Sequence, residues 1–478
     1  EQSTQATTQR LVSHSDTIDG AELRLVRLNG KNSIANTDWT QLLTDATGLW
    51  IAGGREESFQ QLAQNDVARI ALHNFVEQKK VIGANEHGGA IFADKTFVGE
   101  TSDLIGDGTL ALLPESLIDL QASQQESPSR IEHALQIQRH RIGFEIPRNA
   151  AMIVRGRRIS KVGEGTVRVR RFAGDEESIA EIDLESDSDV VDLIALRRAA
   201  RDGMSGYPAQ TSPRPTKVNK GTLILIGGGG MPKGIINRFV ELAGGKKAKI
   251  VVLPTAMPDP LSRKSGIGEE FTKLGAEKVT VLSDRTLEKV ESTEFLKTLN
   301  EATGIWFGGG RQWRFVDAYL DTKAHTAMNG VINRGGVIMG SSAGASIQAE
   351  FLARGNPLAN LDIMADGYQK GLGFLPGVAV DQHFTQRNRQ ADMLSLVTRH
   401  PAWLGIGIDE STALIVKGEV GEVVGNSKVH FYDASQGVSD GFTPVEVGDG
   451  DHYHLIRRKL VDPPQPPEEK KTPEEKAE

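Results

Sequence analysis

The chain has 478 residues, 38% of them hydrophobic, enough for well-buried cores in one large or two ordinary domains. Its 63 acidic and 55 basic residues give a net charge of −8 with no basic block, so nucleic acid is excluded as an expected partner, and no apolar run reaches the ~20 residues of a membrane span. With no cysteine there is no disulfide, thiol nucleophile or thiolate metal site, and the start at Glu1 without Met favours an exported (periplasmic or extracellular) protein over a cytoplasmic one.

Along the chain, the first apolar block is "TGLWIAGGREESF" at 47–59, followed by "VIGANEHGGA", "LPESLID" at 113–119, "AMIVRG" and "DSDVVDLI". A stretch rich in Gly, Pro, Ser and Thr, "GMSGYPAQTSPRPTKVN" at 203–219, reads as a linker. Beyond it come strand-like runs in "TLILIGG", "KIVVLPT", "KVTVLS", "GIWFGGG", "GGVIMGS", "GVAVDQ" and "ALIVKG". Segments with apolar residues at helical spacing separate them, and the alternation predicts an α/β domain with a mostly parallel sheet. The closing "DPPQPPEEKKTPEEKAE" has the composition of a disordered tail.

The second set of blocks repeats the first. "TGIWFGGGRQWRF" at 303–315 shares seven of thirteen residues with 47–59 at an offset of 256, which also aligns "VIMGSSAGAS" with "VIGANEHGGA". After a six-residue insertion the offset becomes 262 and aligns "LPGVAVD", "ALIVKG" and "DGDHYHLI" with their counterparts. A register kept through five separated blocks predicts a tandem duplication. The expected organisation is a degenerate first copy at 1–202, a linker at 203–219, a complete copy at 220–461 and a tail at 462–478. The first copy starts at a point matching residue 279 or so, and so lacks its first strands.

Candidate chemistry lies in the second copy. "GSSAG" frames Ser342 between Gly340 and Gly344 after a buried-strand run, the arrangement of a nucleophile elbow on which the Ala343 N–H faces a developing oxyanion. A serine needs a base, and His383 in "VAVDQHFTQRNRQ" follows an apolar strand among polar residues. The orienting acid is expected in "LGIGIDESTALIVKG", with Glu410 chosen and Asp409 the alternative. "GIWFGGGRQWRF" ends a strand in three glycines, leaving N–H groups near Gly310 for an oxyanion and Gln312 for substrate. Dinucleotide and P-loop patterns are absent, and no metal or organic cofactor is expected.

Together "ILIGGGG", "WFGGGRQ", "GSSAGAS", "DQHFTQRNR" and "GIGIDESTALIV" resemble the cyanophycinase branch of the peptidase family that also contains α-aspartyl dipeptidase, family S51. The resemblance implies a domain like the class I glutamine amidotransferases with serine on the elbow, and hydrolysis of peptides linked through aspartate, such as a β-Asp-Arg polymer. By position it puts nucleophile, base and acid on Ser342, His383 and Glu410, and substrate contacts on Gln312, Asp381, Gln382, Arg387 and Arg389. A third arginine of the pattern falls on Asp392, a carboxylate expected to repel that of a substrate, and Arg311 stands where the pattern has an acid or amide. An aspartyl dipeptidase and a non-catalytic peptide-binding scaffold are the alternative functions. In the first copy the three catalytic positions hold Glu86, Gln121 and Arg148, so that copy is expected to be inactive. Because the resemblance also implies homodimers, the two copies are expected to form a pseudo-dimer within one chain.

Overall fold

Leu223, Leu225 and the two isoleucines between and after them are fully buried, which makes Val218–Ile226 a strand covered on both faces, as a parallel-sheet core requires. It belongs to a computed structural model that describes residues 24–463 except 25, 27, 29–30, 53–55, 86, 98–103, 106–108, 121–128, 174–177, 209–211, 262–264 and 440–441. The chain divides into two units, Glu1–Tyr207 and Pro208–Glu478.

In the second unit Val218–Ile226 pairs in parallel with Val337–Ser341, which is followed outward by Gly304–Phe307, Lys249–Leu253 and Lys278–Val281, all parallel. On its other side it pairs antiparallel with Thr412–Gly418, and the sheet of nine strands continues through Val420–Gly425, His452–His454 and Lys459–Val461. Helices Ile235–Leu242 and Gly266–Lys273 cover one face, where Phe239, Phe271 and Trp306 meet ring to ring. Helix Lys323–Asn333 packs on the central strand and on helix Thr293–Glu301. A second sheet orders Ala349–Phe351, Leu375–Gln382, Leu404–Ile408, Val429–Asp433 and Val445–Val447, with the first three parallel. The unit is mixed α/β, parallel where strand ends converge and antiparallel at the flank.

The first unit contains the same pairings in shorter form. Gly48 faces Val81 as Gly304 faces Val337, each residue 256 positions on. Ser116 faces Ile142 as Val378 faces Leu404, Ala150 faces Gly163 as Thr412 faces Gly425, and Val190 faces Ser160 as His452 faces Glu422, all 262 positions on. Among the described residues no strand precedes Gly48–Ile51. Where the second unit has one continuous sheet of nine strands, the first therefore has a pair, Gly48–Ile51 with Val81–Ala84, and a separate three-stranded sheet ending on Ala150–Arg155. The 203–219 stretch holds the last turn of helix Leu193–Ser205 and the start of Val218–Ile226.

Phe271 is fully buried between Phe239, at 5.1 Å, and Trp306. Phe271→Ala leaves a cavity under the parallel strands and is expected to cost about 3–5 kcal/mol, read as a lowered denaturant midpoint.

Candidate active site

Ser342 closes strand Val337–Ser341 with φ 55° and ψ −116°, backbone angles that an L-residue holds only when its surroundings impose them. The flanking glycines make the turn possible. A Cβ on Gly340 would lie 2.1 Å from the Gly344 carbonyl oxygen, and one on Gly344 would lie 2.1 Å from that of Phe307. The short helix Ala343–Ser346 follows at once.

From this turn the Ser342 Oγ lies 2.9 Å from His383 Nε2, and His383 Nδ1 lies 2.5 Å from Glu410 Oε1. With the ring proton on Nδ1 facing the carboxylate, Nε2 is the acceptor for the serine hydroxyl. Burial pushes the His383 pKa below the ordinary histidine value; the Glu410 hydrogen bond opposes this, and the Arg387 charge adds to it.

Three consecutive carbonyls at the end of Val218–Ile226 hold the three segments. Ser342 N–H donates to Ile226 O at 2.9 Å, His383 N–H to Gly227 O at 2.8 Å, and the N–H of Ser411, next to Glu410, to Gly228 O at 2.8 Å. The glycines there are a steric requirement. A Cβ on Gly228 would lie 2.4 Å from His383 Cε1, and one on Gly229 2.3 Å from Glu410 Oε2, both at positive φ. Sequence reasoning noted "GGGG" and missed this role, although four glycines directly after a fully apolar strand were its signal.

Of the two adjacent acids, Glu410 reaches the histidine and Asp409 does not. Asp409 is buried, which pushes its pKa up, but hydrogen bonds from His430, Ser427 and Thr385 outweigh the burial and hold it well below the usual carboxylate range. It ties the loop after His383 to the strands behind it.

For an oxyanion, the N–H groups of Ala343, Gly309 and Gly310 make no backbone hydrogen bond among the described residues, whereas Gly308 donates to Leu253 O and Arg311 to Ala256 O. A Cβ on Gly309 would come within 3.6 Å of the Ser342 Cβ, so Gly309, which the sequence reading passed over, lies against the serine.

The expected substrate contacts are differently engaged. Gln312 is buried and its amide donates to the carbonyls of Ala353, at 2.9 Å, and Arg354, at 2.8 Å. Asp381 is fully buried between Arg354 Nε, at 2.9 Å, and Arg389 Nη1, at 2.7 Å; it bears on a pocket by holding Arg389 and has no surface for substrate. Gln382 is buried, and its backbone carbonyl accepts from Arg389 at 2.6 Å. Arg387 is exposed and has no side-chain partner among the described residues. The repulsion expected from Asp392 does not arise, because Arg354 Nη2 pairs with it at 2.6 Å. Arg354, 38 residues earlier in a loop without pattern, carried no sequence signal.

In the first unit Glu86 and Gln121 lie outside the described residues, and Arg148 is exposed on a turn. Among the described residues no three His, Asp or Glu side chains converge as a metal set, and no helix is long and apolar enough to cross a membrane.

The profile of Peptidase family S51 matches residues 223–424. A cyanophycinase of Trichormus variabilis is 32% identical over 276 residues, covering 52% of this chain and 90% of its own, and one of Geminocystis herdmanii is 34% identical over 236 residues, covering 48% and 85%. A solved peptidase from an acI-B1 actinobacterium covers 51% of this chain and 98% of its own at 22% identity, with a TM-score of 0.38. The profile's span contains Ser342, His383 and Glu410, and the chain belongs to peptidase family S51, as a serine peptidase of the cyanophycinase type.

Proposed function

We propose that the second unit hydrolyses peptide bonds linked through aspartate, of the kind found in a β-Asp-Arg polymer or related peptides, by way of an acyl-enzyme on Ser342. The observation that carries this reading is the unbroken line from Ser342 Oγ through His383 to Glu410 at the end of a strained turn. His383 Nε2 takes the hydroxyl proton as Oγ attacks the carbonyl, and Glu410 stabilises the imidazolium. The N–H groups of Ala343 and of Gly309 or Gly310 receive the oxyanion, each such donor being worth about 2.7–4 kcal/mol in the transition state. Collapse expels the amine, which takes the proton from His383. Water, deprotonated by the same ring, then releases the acyl group. Arg387, with Arg389 held by Asp381, favours a substrate that presents a carboxylate on this side.

The first unit is a degenerate tandem copy without hydrolytic activity. The recurrence of strand pairings at fixed offsets supports the duplication. Glu86, Gln121 and Arg148 at the catalytic positions support the loss, since none replaces the serine or histidine in acyl transfer.

Ser342→Ala is expected to abolish turnover of aspartyl peptides and labelling by a fluorophosphonate, with an unchanged circular-dichroism spectrum; undiminished turnover would remove the mechanism. His383 acts as a base only when neutral, and its pKa is lowered, so kcat/KM should hold as pH falls through ~6.5 and decline only below it. Glu410→Gln removes the group that raises this pKa and should move the acid limb lower still while cutting kcat by about 10²–10⁴. Gly228→Ala, whose methyl group occupies the space of the imidazole at a positive φ, should lower kcat about 10²-fold and also lower the unfolding midpoint, whereas Ser342→Ala should lower kcat alone.

A further inference from the structure

Three arginines gather on one short backbone stretch beside the glycine end of the site. Arg285 Nη2 donates to Thr255 O at 2.6 Å and also to Met257 O, Arg314 Nη1 donates to Ala256 O at 2.8 Å, and the Arg311 N–H donates to the same oxygen at 2.9 Å. That carbonyl closes against Gly310, where a Cβ would be 2.3 Å from it, and the neighbouring Gly309 abuts Ser342. The only carboxylate paired with the three among the described residues is Asp259, bonded to Arg285 Nη1 at 2.8 Å and itself 81% exposed.

This leaves an excess of positive charge with a clear division of labour. Arg285 and Arg314 are pinned by carbonyl oxygens. Arg311 has no side-chain hydrogen bond or ion pair among the described residues. Burial, then the charges of Arg285 and Arg311, push the Arg314 pKa down, with Asp259 opposing, so the cations feel one another. Like charges held together by backbone contacts, with one guanidinium fork unengaged, form a receptor for an anion of carboxylate geometry.

We infer that Arg311, backed by Arg285 and Arg314, is a specificity-determining subsite for a carboxylate on the residue joined to the substrate's aspartate. The inference rests on the serine-hydrolase reading and narrows it. A guanidinium on that residue, as in a β-Asp-Arg unit, meets three like charges, whereas a carboxylate meets a free fork. Arg387 and Arg389 stand on the His383 side of the serine, so this subsite is a second, separate cationic feature at the glycine side.

The test is kcat/KM of the full chain for β-Asp-Glu, β-Asp-Arg and the C-terminal amides of both. β-Asp-Glu is expected to exceed β-Asp-Arg by about tenfold or more, the size of one charge-assisted hydrogen bond. A preference that survives amidation assigns the side-chain carboxylate. If the two free peptides are turned over alike and amidation slows both by the same factor, the terminal carboxylate is the ligand. Arg311→Gln should erase the advantage mainly through KM, and Arg311→Glu should invert the order in favour of β-Asp-Arg. Equal rates for all four peptides, a preference for β-Asp-Arg, or no effect of Arg311→Gln would overturn the subsite. If Ser342 labels with a fluorophosphonate while the subsite fails, the hydrolase reading stands. If Ser342 does not label and no peptide is turned over, that reading has failed, and calorimetric binding of the same peptides to the Ser342→Ala chain still decides the subsite by the same ordering.

Discussion

The site depends on the last residues of one strand. Ile226, Gly227 and Gly228 offer three successive carbonyls, and the backbones of Ser342, His383 and Ser411 each donate to one of them. These acceptors are fixed by a central strand whose last six residues are all buried, so the three segments are located relative to one another to the precision of backbone hydrogen bonds. Catalytic groups need that precision, because an ångström of misplacement forfeits much of the advantage of prior orientation. The side chains then have little freedom: Ser342, His383 and Ser411 all sit at positive φ, as do Arg354 and Asn388 nearby. Strain is tolerated where surrounding structure over-determines the conformation, and here that structure is the strand end.

Around this anchor the electrostatics follow one rule, that every deeply buried charge is held by a partner from a different segment. Asp381 lies between Arg354 and Arg389, and Asp409 collects donors from Thr385, Ser427 and His430. An unpartnered carboxylate in either place would be costly. The pairing has a consequence for the solvent side. Arg354 neutralises Asp392 and shares Asp381 with Arg389, which leaves Arg387 as the unengaged cation on the His383 side among the described residues. Arg311 is its counterpart on the glycine side. Internal pairing therefore decides which arginines remain available, and residue type alone does not.

That distinction marks what could be read from the sequence. Ser342, its glycines and the strand before it form a local pattern, because an elbow is a property of five adjacent residues. The strands were legible for the same reason: "TLILI", "KIVVL" and "GIWF" are short apolar runs bounded by glycine or polar residues. Roles fixed by contacts across the chain were not legible. Arg354 meets Asp392 and Asp381 from a loop with no periodicity, so sequence assigned Asp392 a repulsive effect that the ion pair removes. Gln312 was expected at substrate, yet its amide is turned to the carbonyls of Ala353 and Arg354. The glycines after Ile226 entered the sequence reading only as part of the family pattern, whereas their lack of side chains is what admits the imidazole and the carboxylate.

The first unit separates what the fold requires from what the reaction requires. It has the parallel pair Gly48–Ile51 with Val81–Ala84, the strand ladder through Leu113–Asp119 and Ile142–Glu145, and the hairpin Ala150–Arg155 with Arg158–Gly163. Among its described residues it has no strand in the place of Val218–Ile226, and the sheet is interrupted there. Cores still form on both sides of the interruption, around Leu72 and Phe75 and around Phe144 and Val169. Hydrophobic burial and strand pairing are thus distributed properties that form on both sides of the gap without a central strand among the described residues. A catalytic line is not distributed: its three backbone anchors are consecutive carbonyls of a single strand end, and removing that strand removes all three together.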